Sequence, residues 1–262
     1  MALDDATVAQ LADALLDAER TRIPIDQPSV AHPGMDVGDA YRIQQRILAA
    51  RFAAGERVVG WKVGLTSKAM QLQLGVSEPD YAAVPSGWLL EDGAAIARTD
   101  LIAPRVEAEI GFLLKASLRG PGVTVEDVLA ATEAVTASIE VIDSRVRDWK
   151  IALPDTVADL ASSARVVVGR TRIPVHGLDL RLVGAVLEQN GEVVATGAGA
   201  AVLGHPAAGV AWAANTLGPL GVTLEAGHVV IPGAVHGSVP AKAGDTFTAT
   251  FDRIGSVTVR FI

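Results

Sequence analysis

Two glutamates, Glu107 and Glu109, stand two residues apart inside the otherwise apolar run from Val106 to Leu114. Side chains alternate faces along a strand, so both carboxylates point the same way, with Cα atoms about 7 Å apart at ~3.4 Å per residue. Val106, Ala108 and Ile110 take the opposite face. A third glutamate, Glu140, lies in Ala137-Ser138-Ile139-Glu140-Val141-Ile142, again between apolar neighbours. The plainer reading makes these the solvent-facing positions of half-exposed strands. The alternative has Phe112 and Leu114 continuing the glutamate face beyond Gly111 and turning it inward. Buried unpaired carboxylates are costly, so a cluster of them calls for a cation. With no cysteine in the chain and no histidine close by, oxygen donors suit a hard ion, Mg²⁺ or Mn²⁺, over zinc.

The chain has only five lysines among 22 basic residues. Lys62 stands apart from the others, between Trp61 and Val63 in an apolar run bracketed by Gly60 and Gly64. It reads either as a lysine snorkelling at a sheet edge or as a cation beside a bound anion, where it would stabilise developing negative charge. In the second reading the flanking glycines would let a ligand approach the backbone. His32, His176, His205 and His228 sit near Pro or Gly or at element boundaries, as loop histidines do, and carry no assigned role. His236 reads as a surface loop position, with a proton shuttle as the alternative. Asp143-Ser144-Arg145 is an ion pair or a salt-bridged strand end, since no nucleophile elbow accompanies it. Gly197-Ala198-Gly199 lacks the strand–turn–helix setting of a dinucleotide loop, so no nicotinamide or flavin is expected.

The elements that must position these residues follow from periodicity. Helical spacing is evident from Asp4 to Arg20 and from Asp36 to Ala54, with a loop held by Pro24, Pro28 and Pro33 between them. Residues 57–64 read as a strand, followed by a short helix capped by Ser67 and running to Leu74. Further strands are predicted at 106–114, 137–142, 166–168, 182–187, 193–196, 229–231, 246–251 and 256–261. Helices are predicted at 125–134, capped by Thr124, and at 207–217. Asn190-Gly191 is a strong two-residue hairpin signal and Ile254-Gly255 a weaker one. Strands and helices do not alternate as in a doubly wound fold. The pattern therefore predicts one α+β domain over residues 1–262, built on a β-barrel or rolled sheet, with residues 1–55 as a helical N-terminal subregion.

Composition narrows the partners. Of 262 residues half are hydrophobic and 4% aromatic, so the core must be built from Ala, Val, Leu and Ile. A net charge of −8 argues against nucleic acid and against an anionic membrane surface. No apolar run approaches the ~20 residues that span a bilayer, and the N-terminus has no signal-like segment. A cytoplasmic protein handling small molecules is expected.

Five ordered motifs then carry a resemblance: Gly60-Trp61-Lys62-Val63-Gly64-Leu65-Thr66-Ser67-Lys68-Ala69-Met70-Gln71, Pro79-Asp80-Tyr81, Pro104-Arg105-Val106-Glu107-Ala108-Glu109, Glu140-Val141-Ile142-Asp143-Ser144-Arg145 and Asp155-Thr156-Val157-Ala158-Asp159. Across nearly its whole length the chain resembles the 2-keto-4-pentenoate (2-hydroxypenta-2,4-dienoate) hydratase family of the fumarylacetoacetate hydrolase superfamily. The resemblance implies a mixed β-roll or barrel and a divalent ion, Mg²⁺ or Mn²⁺, held by Glu107, Glu109 and Glu140. It implies Lys62 and Asp80 as catalytic residues lining the substrate pocket, with Ser162 or Ser163 binding substrate. It also implies a role in degrading ring-cleavage products of aromatic compounds, and a homo-oligomer that could join a related decarboxylase. Where relatives commonly read Ala-Asp-Asn-Ala-Ser-Ser, this chain has Ala158-Asp159-Leu160-Ala161-Ser162-Ser163, and Leu160 cannot supply the asparagine's polar contact.

The resemblance implies hydration of 2-hydroxypenta-2,4-dienoate to 4-hydroxy-2-oxopentanoate. Lys62 would hold the anionic substrate and Asp80 would carry the proton. Two alternatives stand beside it: a 4-oxalocrotonate decarboxylase using the same metal motif, and a non-catalytic subunit of a hydratase or decarboxylase complex.

Overall fold

The computed structural model describes residues 2–67, 71–72 and 76–262. Three helices open the chain: α1 (Asp5–Thr21), α2 (Pro28–Ala31) and α3 (Val37–Ala53). Asp4 caps α1 by accepting from Thr7 N, and Asp36 caps α3 by accepting from Asp39 N. The strands follow as β1 (Val58–Gly64), β2 (Asp80–Pro85), β3 (Leu89–Glu91), β4 (Ala94–Ile96), β5 (Arg105–Leu114), β6 (Thr132–Ile142), β7 (Ser163–Val168), β8 (Gly184–Gln189), β9 (Glu192–Ala198), β10 (Val229–Ile231), β11 (Val239–Pro240), β12 (Thr246–Phe251) and β13 (Gly255–Phe261).

Among the described residues these strands make two sheets. One runs β2-β1-β10-β5-β6-β7-β3, with β11 pairing onto β5; the other runs β4-β13-β12-β8-β9. Both are mixed: β1 runs parallel to β10, β3 to β7 and β4 to β13, and the remaining pairs are antiparallel. The architecture is the curled α+β roll expected, flanked by the N-terminal helices. One contiguous apolar cluster extends from Val8 in α1 to Phe261 in β13. Its largest fully buried side chains include Phe112, Phe247, Phe251 and Phe261, so four of the five phenylalanines are in the core and Phe52 is exposed. No helix among the described residues is long and apolar enough to cross a membrane.

Several expectations change. The helix predicted to Ala134 ends at Ala131, because Thr132 and Ala134 are taken into the ladder opposite Leu114 and Leu113. Pairing with β5 overrides local helix propensity there. Strand β2 carries two alanines and ends in Pro85, which hides it from a pattern search; it lies at the end of its sheet, where proline is tolerated. The hairpin at Asn190-Gly191 forms as expected, with φ of 56° and 85° at its two central residues. The last turn spans residues 252–254, with Arg253 at φ 57°, and Gly255, at φ 111°, opens the next strand. The helix predicted from Ser67 to Leu74 falls largely outside the described residues; Gln71 and Leu72 are helical.

Phe112 and Leu114 do not continue the glutamate face. Register between β5 and β6 is unbroken from Arg105↔Ile142 to Leu113↔Ala134, so Gly111 and Leu113 share the face of Glu107 and Glu109. That face is nevertheless buried from Glu109 onward, with Arg105 and Glu107 half-buried.

Candidate metal and substrate site

Strand pairing, invisible in the sequence, brings the three glutamates together. Glu107 on β5 stands directly opposite Glu140 on β6, and Glu109 opposite Ser138. Like charges facing each other across a ladder destabilise it. Yet one oxygen from each of Glu107, Glu109 and Glu140 lies within 4.8 Å of the others. Glu109 and Glu140 are 1% and 0% exposed, which excludes the solvent-facing reading. Burial, reinforced by the neighbouring Glu140 charge, pushes Glu107 up to about 7. Glu109 is raised well above the carboxylate range by the same two causes. Glu140 is raised by burial, against the pull of Lys62.

Both carboxylate oxygens of Glu140 are buried without a hydrogen-bond partner. Glu109 is held differently, its Oε2 accepting from Gly233 N at 2.7 Å. Gly233 has φ 124°, and a Cβ there would lie 1.9 Å from Thr66 Oγ1, so only glycine can deliver that amide. A compact set of acidic oxygens with unused lone pairs fits a hard divalent cation. The donor set matches what Mg²⁺ or Mn²⁺ requires.

Lys62 comes from an interior strand of its sheet, not an edge, since β1 is flanked by β2 and β10. Its ammonium lies 3.6 Å from Glu140 Oε2 and donates to Ala161 O at 2.8 Å. Burial pulls its pKa down, but Glu140 and Asp80 outweigh that and hold it above the ordinary lysine value, so it is a fixed positive charge. Asp80 begins β2 opposite Gly64, fully buried, with Oδ1 unpartnered. Burial raises its pKa, against the opposing pull of Lys62.

The bracketing glycines make room for the protein's own groups, not for a ligand. A Cβ on Gly60 would sit 2.1 Å from Val229 O, and one on Gly64 would sit 2.2 Å from Asp80 Oδ1. Gly64→Ala must therefore displace the Asp80 carboxylate. Overpacking of this kind costs about 1–3 kcal/mol. The variant is expected to melt lower and to lose turnover at least about tenfold, because a misplacement near 1 Å has effects of this order or larger. Thermal melts and initial rates check both.

A chain of contacts positions the Lys62 partner. Arg145 is buried and forms an ion pair with Asp159, whose Oδ2 also accepts from Arg145 N at 2.9 Å; Arg145 Nη1 donates to Ser163 O at 2.9 Å. Asp143, the sequence neighbour, instead accepts from Ile102 N and Ala103 N. Between these anchors Leu160, Ala161 and Ser162 all adopt left-handed φ, 52°, 50° and 54°. Three such L-residues in succession are unfavourable, so the surrounding contacts impose the turn that aims Ala161 O at Lys62. Gln44 of α3 braces the same region, donating to Tyr81 O and Val157 O.

All this opens onto a cavity of about 740 Å³ lined by Lys62, Asp80, Glu107, Glu109 and Ser162. Ser162 shares a hydrogen bond of 3.1 Å with Thr156 Oγ1 on its wall. Ser163 is not on that wall; it is fully buried, its hydroxyl lies against Glu140 and favours the charged carboxylate, and it makes no full hydrogen bond. Leu160, 2% exposed, packs in the core and does not line the cavity, so its replacement of asparagine changes packing and not the wall itself. His236, read as a surface position, does line it. Its Nε2 accepts from Ala108 N at 3.3 Å and its Nδ1 lies 2.8 Å from Gly237 O, so both ring nitrogens are engaged and burial lowers its pKa. That suits a neutral wall residue better than a shuttle.

Sequence reasoning assigned no site role to Arg105 and Trp149, both on the wall. The Arg105 guanidinium lies 5.7 Å from the Trp149 ring centre, and Trp149 Nε1 donates to Ala103 O at 2.9 Å. The available signal was Arg105 standing two residues before Glu107, which puts it on the glutamate face.

A curled mixed roll with an acidic triad at its centre is the arrangement of one recognised enzyme class. Residues 57–262 match the family described as fumarylacetoacetate (FAA) hydrolase C-terminal, and the chain belongs to that family. Within it, the chain is 45% identical over 254 residues to 2-hydroxyhexa-2,4-dienoate hydratase of Comamonas testosteroni, covering 96% of this chain and 95% of that one. It is 43% identical over 252 residues to 2-keto-4-pentenoate hydratase of Paraburkholderia xenovorans, covering 96% and 94%. The solved 4-oxalocrotonate decarboxylase of Pseudomonas putida, complexed with magnesium and adipate, superposes with a TM-score of 0.95 at 40% identity over 99% of each chain.

Proposed function

We propose that this protein is a divalent-metal-dependent hydro-lyase that adds water to 2-hydroxypenta-2,4-dienoate to give 4-hydroxy-2-oxopentanoate, in the breakdown of aromatic ring-cleavage products. The observation that carries it is the convergence of three mutually repelling carboxylates, two of them fully buried, with Glu107 and Glu109 on the cavity wall beside Lys62 and Asp80 and Glu140 behind it. The named hydratases at 43–45% identity support the reaction type. Glu107, Glu109 and Glu140 hold the ion, Mg²⁺ or Mn²⁺. When bound, it supplies Lewis acidity toward the carboxylate and 2-oxygen of a 2-oxo acid.

The chain's own residues do the rest. Lys62, locked by Ala161 O and Glu140, sets a fixed positive charge where negative charge develops on the substrate's oxygen, an interaction that strengthens toward the transition state. Asp80, its pKa raised by burial, delivers a proton to C5 as the 2-hydroxyl proton passes to solvent, leaving an α,β-unsaturated 2-oxo acid, and it is reprotonated by the water that then adds. Water adds at C4 and a proton at C3 completes the product. Ser162 and Thr156 present hydroxyls from the cavity wall to the substrate.

Product analysis on 2-hydroxypenta-2,4-dienoate and 4-oxalocrotonate, each with Mg²⁺ or Mn²⁺ and with chelator, tests this reading. Hydration that EDTA abolishes and added metal restores is expected; full turnover after exhaustive chelation would refute it. Carbon dioxide release from 4-oxalocrotonate without hydration of the pentadienoate would favour the decarboxylase, a reading supported by the likeness to the solved decarboxylase. The same proposal takes the active form to be a homo-oligomer, with a related decarboxylase as a further partner. Exposed Val193 and Val194 on the terminal strand β9 are consistent with a covered surface, and light scattering of the purified protein checks it.

A further inference from the structure

Asp80 stands between two cavities. Behind the one of about 740 Å³ lies a second of about 60 Å³, and among the described residues Asp80 alone belongs to both walls. The short helix Leu153–Ala158 divides them. Thr156 lines the front cavity, while Leu153 and Val157, four apart and so on one helical face, line the rear. The rear wall also carries polar groups. Tyr41 of α3 stacks on Tyr81 at 4.4 Å, and Thr216 comes from the helix Pro206–Leu217. Glu78, two residues before Asp80, is exposed, so the wall of this cavity reaches solvent there. Burial and the Asp80 charge raise the Tyr41 pKa, which keeps its hydroxyl protonated and able both to donate and to accept. A volume of about 60 Å³ holds about two water molecules at ~30 Å³ apiece, and each needs polar partners such as Tyr41, Thr216 and Glu78 supply.

The proposed reaction needs such a connection. Asp80 gives one proton to C5 and recovers one from the adding water, yet C3 requires another while the substrate occupies the front cavity. We propose that the rear cavity is a proton passage, in which Glu78 collects protons from solvent and bound water and the Tyr41 hydroxyl relay them to Asp80. Asp80 hands the proton taken from water on to C3, and the passage restores its resting proton. That proton balances the one the 2-hydroxyl lost to solvent, so the sum is the addition of one water. Glu78 acts through Asp80 and does not meet the substrate. The inference rests on the proposed reading of the site, in which Asp80 is the proton carrier.

The test follows hydration of 2-hydroxypenta-2,4-dienoate by the Mg²⁺-loaded full chain in H₂O and D₂O. Glu78→Gln and Tyr41→Phe, the latter keeping the stacked ring, should each lower kcat at least about tenfold, with KM and Mg²⁺ affinity within about threefold of wild type. Proton supply then limits turnover, so the solvent isotope effect on kcat should grow in both variants. Imidazole buffer, a proton donor near neutral pH that can reach the exposed rim, should raise kcat of Glu78→Gln with its concentration and leave wild type unchanged. Glu78→Asp should recover most of the rate. The double variant should be no slower than the worse single one, because groups on one path fail together. Wild-type kcat in both single variants would overturn the proposal. So would a loss of kcat without a larger isotope effect or a buffer response, which would make the two residues structural. If wild type hydrates no dienoate, the underlying functional reading fails instead. Unchanged melting temperatures of the variants exclude misfolding as the cause.

Discussion

Glu109→Gln is expected to weaken Mg²⁺ or Mn²⁺ binding more than about 100-fold and to lower turnover at least about 10³-fold, while making the metal-free protein more stable. The substitution keeps an oxygen for the Gly233 amide and removes one of three mutually repelling charges. A buried charge left uncompensated costs about 3–5 kcal/mol, and the amide removes one such charge. The pH dependence follows from linkage. Glu107 and Glu109 have raised pKa values in the folded chain, about 7 for Glu107, so the native state holds protons that the unfolded chain releases near 4.5. Their contribution to stability is therefore present below about 4.5 and is lost as pH rises through about 7. Melts of chelated wild type and variant should differ most at pH 8 and converge toward pH 5. Calorimetry should show metal affinity of the wild type rising with pH through the same range, with proton release, since ligands bind deprotonated. An undiminished metal affinity in Glu109→Gln would remove that residue from the ligand set.

Asp80→Asn should separate chemistry from metal binding. The amide fills the same volume and keeps an oxygen for the Gly64 amide, so the fold and the acidic cluster should be retained. What it loses is the ability to give up and retake a proton, which in positioned general acids contributes about 10²–10⁴ in rate. The expected outcome is a kcat lower by that factor with metal affinity within a few-fold of wild type. Deuterium incorporated at C5 of the product formed in D₂O, followed by NMR, reports the same proton transfer. Loss of kcat together with metal binding would mean that Asp80 supports the cluster instead of carrying protons. Lys62 offers no comparable separation, because removing its ammonium strands Glu140, wholly buried, without its cation.

What the sequence by itself determined is everything that depends on local order. The apolar run around Glu107 and Glu109 marked a strand with two carboxylates on one face, and Glu140 stood out for the same reason. Asn190-Gly191 specified its turn because two consecutive positive φ values admit few residue pairs. The N-terminal helices followed from 3.6-residue spacing. The ordered motifs carried the family, its fold, and the identity of the residues that meet at the site.

Tertiary structure decided how those residues meet. Whether Glu107 faces Glu140 or solvent is a matter of register between β5 and β6, and a one-residue slip would turn every side chain over. The sequence could not show that Gly64 exists to clear Asp80, because that contact crosses from β1 to β2. Nor could it show that a left-handed turn at 160–162, held by Arg145 and Asp159, supplies the Lys62 acceptor. Leu160 looked like a loss at the substrate wall and proved to be core; Ser163 looked like wall and proved to back the Glu140 carboxylate. In each case the outcome depends on which distant backbone a side chain meets, and that is set by long-range pairing that no local pattern encodes.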